Sequence, residues 1–139
     1  MLEQVSAREI AVSGLRAQRT RMNVIANNIA NATTTRTPEG GAFRRQMVIL
    51  RGEELRSGSN LERLGVEVKR VAHDPSPFRQ VFQPGHPDAD AGGYVSYPNV
   101  NLAVEMVDLV AAQRAYEANV AVLVTGTRMH ERALEIISA

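Results

Sequence analysis

Two stretches of the chain carry apolar residues at alternating steps of four and three. In the C-terminal stretch Leu102, Met106, Leu109, Gln113, Tyr116, Val120, Leu123, Thr127, His130, Leu134 and Ile137 hold this step without a slip, and eight of the eleven are apolar. A 3.5-residue period kept this long predicts a helix with a coiled-coil seam, opened by Asn99 as N-cap. The N-terminal stretch steps in the same way through Ala11, Leu15, Gln18, Met22, Ile25, Ile29 and Ala32. It ends at ATTTRTP (32–38), where β-branched residues and a following proline disfavour helix. Each seam is broken once by a glutamine, Gln18 and Gln113. A polar core position of this kind fixes register, so the two glutamines are expected to meet when the arms pair.

Between these arms the pattern changes. All six prolines, eight of ten glycines and five of six aromatics lie between positions 38 and 98. Segments 43–50 and 65–71 have the β-branched content and partial alternation of strands, with RGEELRSGSNLER (51–63) between them as an exposed loop. DPSPF, QPGHPDAD and AGGYVSYP are predicted as turns around a short apolar stretch at Val81 and Phe82. The expected fold is mainly α. Arms 1–35 and 99–139 form an antiparallel, coiled-coil-like inner domain, and 36–98 forms a small β-rich, irregular middle segment.

Composition sharpens this picture. The chain has 139 residues, and 18 Ala and 16 Val dominate its apolar set, with no Trp and no Cys. Large core anchors are therefore few, and a disulfide scaffold or thiolate site is excluded. No apolar run is long enough to span a bilayer, and the first residues do not read as a cleavable signal. Net charge is +1, yet residues 1–80 carry a balance of +5 and residues 81–139 one of −4. The two halves should attract each other, within one chain or between copies.

Candidate chemistry adds little. No phosphate-binding, zinc-protease or nucleophile motif is present, so no catalytic, cofactor or metal residue is assigned. His86, Asp88 and Asp90 in GHPDAD fit a turn better than a cation loop, which needs more oxygen ligands and a closing Glu. His73 and His130 lack acidic companions at ligand spacing. The Arg-rich first half carries no docking motif for nucleic acid.

Three segments resemble a known family. SGLRAQRTRMNVIANNIANATTTRTPEGG (13–41) is similar to the N-terminal signature of bacterial flagellar axial proteins, the rod and hook subunits, with its core at Asn27, Asn28, Ile29, Ala30 and Asn31. DPSPFRQVFQPGHPDADAGGYVSYPNVN (74–101) resembles the proximal-rod members more narrowly. EMVDLVAAQRAYEANVAVL (105–123) resembles the family's closing helix, with Arg114, Tyr116, Glu117, Ala118 and Asn119 in order.

The resemblance implies a structural subunit of the basal-body rod, which crosses the periplasm and passes torque from motor to hook. It implies export through the flagellar type III apparatus without signal cleavage, and helical assembly with copies of itself, other rod proteins and the basal-body adaptor. Residues expected at contacts between subunits are Asn23, Asn27, Asn28, Ile29, Asn31, Arg114, Tyr116, Glu117 and Asn119. A non-polymerising helical adaptor that binds partner helices is the alternative.

Overall fold

The computed structural model describes residues 7–55 and 63–138. Helix α1 runs Ala7–Ala30 and α2 runs Leu102–Ser138. At 1.5 Å per residue they span about 36 and 56 Å. The last turn of α1 is closed by Asn31, whose Nδ2 donates to the Asn27 carbonyl at 2.9 Å. The N-cap of α2 is Asn101 rather than Asn99. Its Oδ1 accepts the N–H groups of Ala103 and Val104 at 3.1 and 3.3 Å, satisfying donors that a helix start leaves free. Asn99 is taken up elsewhere: its Oδ1 accepts the Arg45 N–H at 2.8 Å, and its Nδ2 donates to the Asp74 and Ser76 carbonyls.

Four strands fill the middle: β1 Gln46–Leu55, β2 Arg63–His73, β3 Arg79–Phe82 and β4 Tyr94–Tyr97. The first two form an antiparallel hairpin. Its register slips where Ile49 faces Arg70 and Leu50 faces Val68, leaving Lys69 as the bulged residue. β3 and β4 form a second antiparallel pair centred on Val81 and Val95. Two expectations need correction. Residues 51–55 continue β1, because Gly52 and Glu53 still pair with Val66 and Gly65; positions 56–62 of the expected loop lie outside the described residues. The YVSY of AGGYVSYP is a strand, not part of a turn. Gly93 takes φ +82° directly before it, reversing the chain so that Tyr94 reaches Phe82 in an edge-on ring contact at 5.2 Å.

The hairpin lies along α1 and is pinned near both ends. The Val66 N–H donates to Ser13 Oγ at 3.1 Å, and the Gln46 N–H donates to Asn28 Oδ1 at 2.9 Å. Among the described residues, buried apolar side chains are few and mostly small: Ala11, Ala17, Ile25, Ala42, Val95 and Ala112. The aromatic-poor sequence therefore folds around a thin core.

The two helices pack antiparallel, with Gly14 of α1 against Asn119 of α2 and Asn28 against Glu105. On α1 the expected seam is largely the packed one: Ala11 and Ile25 are buried, and Leu15, Gln18 and Met22 are half-buried. On α2 it is not. Leu109, Tyr116 and Leu123 face inward, but the alternate positions are Glu105, Ala112 and Asn119, while Leu102, Met106, Gln113 and Val120 are exposed. At 100° per residue, the packed stripe is turned by about 50° from the more apolar one. Thr127, His130, Leu134 and Ile137, the last positions of that seam, are exposed as well.

Candidate assembly site

Glu105 sits one turn into α2 and is fully buried. An unpaired carboxylate there would be costly, and three elements supply its partners. From α1, Asn28 donates Nδ2 to Glu105 Oε2 at 3.0 Å and to the Gln46 carbonyl at 2.8 Å. Since Asn28 Oδ1 also accepts the Gln46 N–H, its amide reads both backbone groups of the first residue of β1. From the segment before β1, Arg45 donates Nε to Glu105 Oε1 at 2.5 Å and Nη1 to Asp74 Oδ2 at 3.3 Å. The two carboxylates hold the Arg45 guanidinium above its usual pKa, against the opposing effect of its burial. Asp74 titrates below its ordinary value, chiefly because the Ser76 hydroxyl and N–H both donate to it, with Arg45 contributing. Asp108, one turn beyond Glu105, lies 3.8 Å from Arg45 and 3.7 Å from Arg21.

This clasp joins α1, α2 and both ends of the hairpin. Arg44 extends it, donating Nη1 to the Asp74 and Ser76 carbonyls at 3.0 Å and stacking over Phe78 at 4.2 Å. Beside the clasp an open cleft of about 370 Å³ exposes the edges of Arg21, Arg45, Met47 and Asp108. A second tie holds the turn before β4. There Asp88 accepts from the Thr35 hydroxyl at 2.8 Å and pairs with Arg36; the Thr35 bond first, then Arg36, lowers its pKa. His86 Nδ1 accepts the Asp88 N–H, and Asp90 Oδ1 accepts from Gly92 and Tyr94, so all three residues of GHPDAD shape the turn. Among the described residues, the pairs Arg21–Asp108, Arg36–Asp88, Arg45–Glu105 and Arg45–Asp108 join the basic half to the acidic half. The charge asymmetry acts within the chain.

The residues expected at subunit contacts divide into three groups. Asn28 is fully buried and bonded inside the chain, so it serves the fold and not an outer face. Asn27 and Asn31 are linked to each other at 3.0 Å, with Asn27 also donating to Gln46 Oε1 and Asn31 accepting from Thr34. Ile29, Tyr116 and Asn119 are half-buried, and Asn23, Arg114 and Glu117 are exposed. The two seam glutamines do not bond to each other: Gln113 donates to Glu117 at 3.4 Å, and Gln18 keeps a buried Oε1 without a donor.

Periodicity missed Arg45, Asp74 and Glu105 and gave Asn99 a different role, that of N-cap. Their one sequence signal is a pair of carboxylates, Glu105 and Asp108, one turn apart in the apolar start of α2, Leu-Ala-Val-Glu-Met-Val-Asp-Leu. A burial-prone helix tolerates a charge there only with a partner.

Outside the clasp, α2 exposes apolar residues on several sides, interspersed with charged ones such as Arg114, Glu117 and Arg128. Val107 and Val110 point away from α1 and are 69% and 50% exposed; Met106, Val122, Met129 and Ile136 are exposed on other faces. Exposed apolar surface of this extent is typical of contact surfaces, and none of these side chains is covered within the described residues.

The sequence matches two family models, "Flagella basal body rod protein" over residues 9–36 and "Flagellar basal body rod FlgEFG protein C-terminal" over residues 91–136. Both matches fall mainly on the helices. Among curated proteins, the chain is 42% identical to the flagellar basal-body rod protein FlgC of Borreliella burgdorferi, over 95% of this chain and 96% of that one. It is 45% identical to the FlgC of Yersinia enterocolitica, over 84% and 85%, and 42% identical to that of Bacillus subtilis, over 91% and 93%.

Proposed function

The chain belongs to the FlgC family of flagellar basal-body rod proteins, and from that premise we propose how it works as a structural subunit of the rod. The paired arms, 1–35 and 99–139, form its inner domain, packing as a short coiled coil and lining up with the helices of neighbouring rod subunits. The middle segment, 36–98, forms the outer portion. The clasp fixes the two parts against each other, so that force applied to one is passed to the other, which is what torque transmission requires.

The observation that carries this reading is the set of large apolar side chains that α2 exposes on several sides, Met106, Val107, Val110, Met129 and Ile136 among them. Contacts that join unlike patches propagate into helical assemblies, and α2 offers such patches on several sides. Other rod proteins, further copies of the chain and the basal-body adaptor are the partners this reading implies, with delivery through the type III export apparatus. The chemistry assigned to the chain is structural rather than catalytic. Asn23, Arg114 and Glu117 are free to contact neighbours; Asn27 and Asn31 retain amide donors and acceptors that can do the same.

The test is to replace Val107 and Val110, both on the side away from α1, with Glu. Far-UV circular dichroism of the purified chain should be unchanged, while incorporation into basal bodies and motility should be lost. Normal incorporation of the doubly charged chain sinks the reading. A wild-type chain found only as a soluble monomer, never sedimenting with basal bodies, would favour the adaptor alternative.

A further inference from the structure

The face that α2 turns to α1 is not its most apolar one. The packed stripe contains Glu105, Ala112 and Asn119, whereas a stripe about 50° round contains Met106, Gln113 and Val120 in the corresponding places, trading a charge and an amide for one amide. Both stripes share Leu109, Tyr116 and Leu123, so moving from one to the other needs only a rotation of α2 about its axis. On hydrophobicity alone, the rotated arrangement buries more apolar surface within the chain and is the one the sequence pattern predicts. Two features oppose it. Glu105 is held by Asn28 and Arg45, and rotation would pull its carboxylate from both. Gly14 lets Asn119 approach so closely that an added Cβ would lie 2.8 Å from its Oδ1; Asn119 is itself held by donating to the Ala115 carbonyl at 2.8 Å.

We propose that the Asn28–Arg45–Glu105 clasp, together with the Gly14–Asn119 approach, is a rotational selector. It decides which face of α2 meets α1 and keeps the more apolar stripe outward. Without it α2 turns inward, and the chain satisfies its own apolar stripe in a closed form. Polar groups at packed positions specify register in this way in helical pairs, at some cost in stability. The benefit of an outward stripe rests on the assembly role proposed above; the selector itself is a property of the single chain.

The chain has no cysteine, so single introduced thiols report the face directly through maleimide labelling. In the parent full-length chain, Ala112→Cys should label slower than Gln113→Cys by about ten-fold or more, since Ala112 is fully buried and Gln113 exposed. The clasp is then removed in both reporters by Asn28→Ala, Arg45→Met and Glu105→Ser together, which keeps a polar residue at 105 so that the packed stripe stays the less apolar one; Asp74 retains its two Ser76 donors and Asp108 its Arg21 partner. The order of labelling should invert, with position 113 protected and position 112 reactive. Retention of the parent order in the triple variant overturns the selector, as does equal labelling of the two positions in the parent.

A second variant, Gly14→Ala, guards against a triple variant that does not fold. It crowds the observed contact, where an added Cβ would lie 2.8 Å from Asn119 Oδ1, and should raise labelling at 112 relative to 113; an unchanged ratio counts against the proposal. Basal-body incorporation is scored separately. Inverted labelling with normal incorporation leaves the selector standing and removes the assembly role of the outward stripe.

Discussion

Removing the Glu105 carboxylate strands two donors at once, the Arg45 guanidinium and one proton of the Asn28 amide. Breaking a buried pair from one side typically costs about 3–5 kcal/mol. The lower end applies here, because 21% of the Arg45 side chain remains in water and Asp74 still pairs with it. Glu105→Ala should therefore lower stability by about 3 kcal/mol, read as a shift in the urea midpoint. Glu105→Gln, which keeps an acceptor in place, should lose less. Equal midpoints for the wild type and Glu105→Ala would show that the clasp bears no weight. The same residues explain where the sequence was opaque at this scale. Asn28 and Glu105 are 77 positions apart, and nothing local marks either one as a partner. Asn27, Asn28 and Asn31 look alike in a sequence, yet a one-residue step on the helix buries Asn28 and leaves Asn27 at the surface.

The arms were legible as elements because helix breakers bound them on one side and apolar periodicity runs through them. The packed face of α2 was not, for a physical reason. Periodicity weighs transfer of apolar surface from water, while Gly14, Ala112, Asn119 and the Glu105 carboxylate act by close approach and by pairing, to which such a scale assigns no value. The strands expected at 43–50 and 65–71 from β-branched alternation correspond to β1 and β2, although 43–45 lie ahead of β1, whereas β4 was hidden by the glycines and proline that flank it.

The loops joining these elements depend on carboxylates. Asp74 and Asp88 both titrate below their usual 3.8 in the folded chain. A carboxylate whose folded pKa is depressed stabilises the fold fully above its unfolded value and loses that contribution as pH falls through the folded one. Thermal stability should therefore hold from neutral pH down to about pH 5 and then decline as the medium is acidified further. Asp88→Asn should flatten the decline and lower the neutral-pH melting temperature. An acid limb of unchanged slope in Asp88→Asn would assign the acid sensitivity to other groups.

At the scale of the whole molecule, the chain exposes 10069 Å² of surface, whereas a compact monomer of 15.2 kDa is expected to expose about 7100 Å². The excess of about 3000 Å² equals what three or four standard contacts bury on one partner. A thin core and a large surface are both what the proposed assembly calls for, with neighbours covering what the single chain leaves open. The end of α2 shows this most plainly. Every side chain from Val124 to Ser138 is exposed, including Met129, Leu134, Ile136 and Ile137. With Gly14 opposite Asn119 in an antiparallel pair, the first described residue of α1 is level with about position 126 of α2.

Deleting residues 127–138 should therefore change the unfolding free energy of the isolated chain, read from urea titration, by no more than about 0.5 kcal/mol, the range usual for surface changes. The same deletion should abolish incorporation into basal bodies, since the apolar side chains it removes have no partner within the described chain. A marked loss of monomer stability would place the segment in the subunit's own fold. Retained incorporation would move the assembly surface to α1 and the first part of α2.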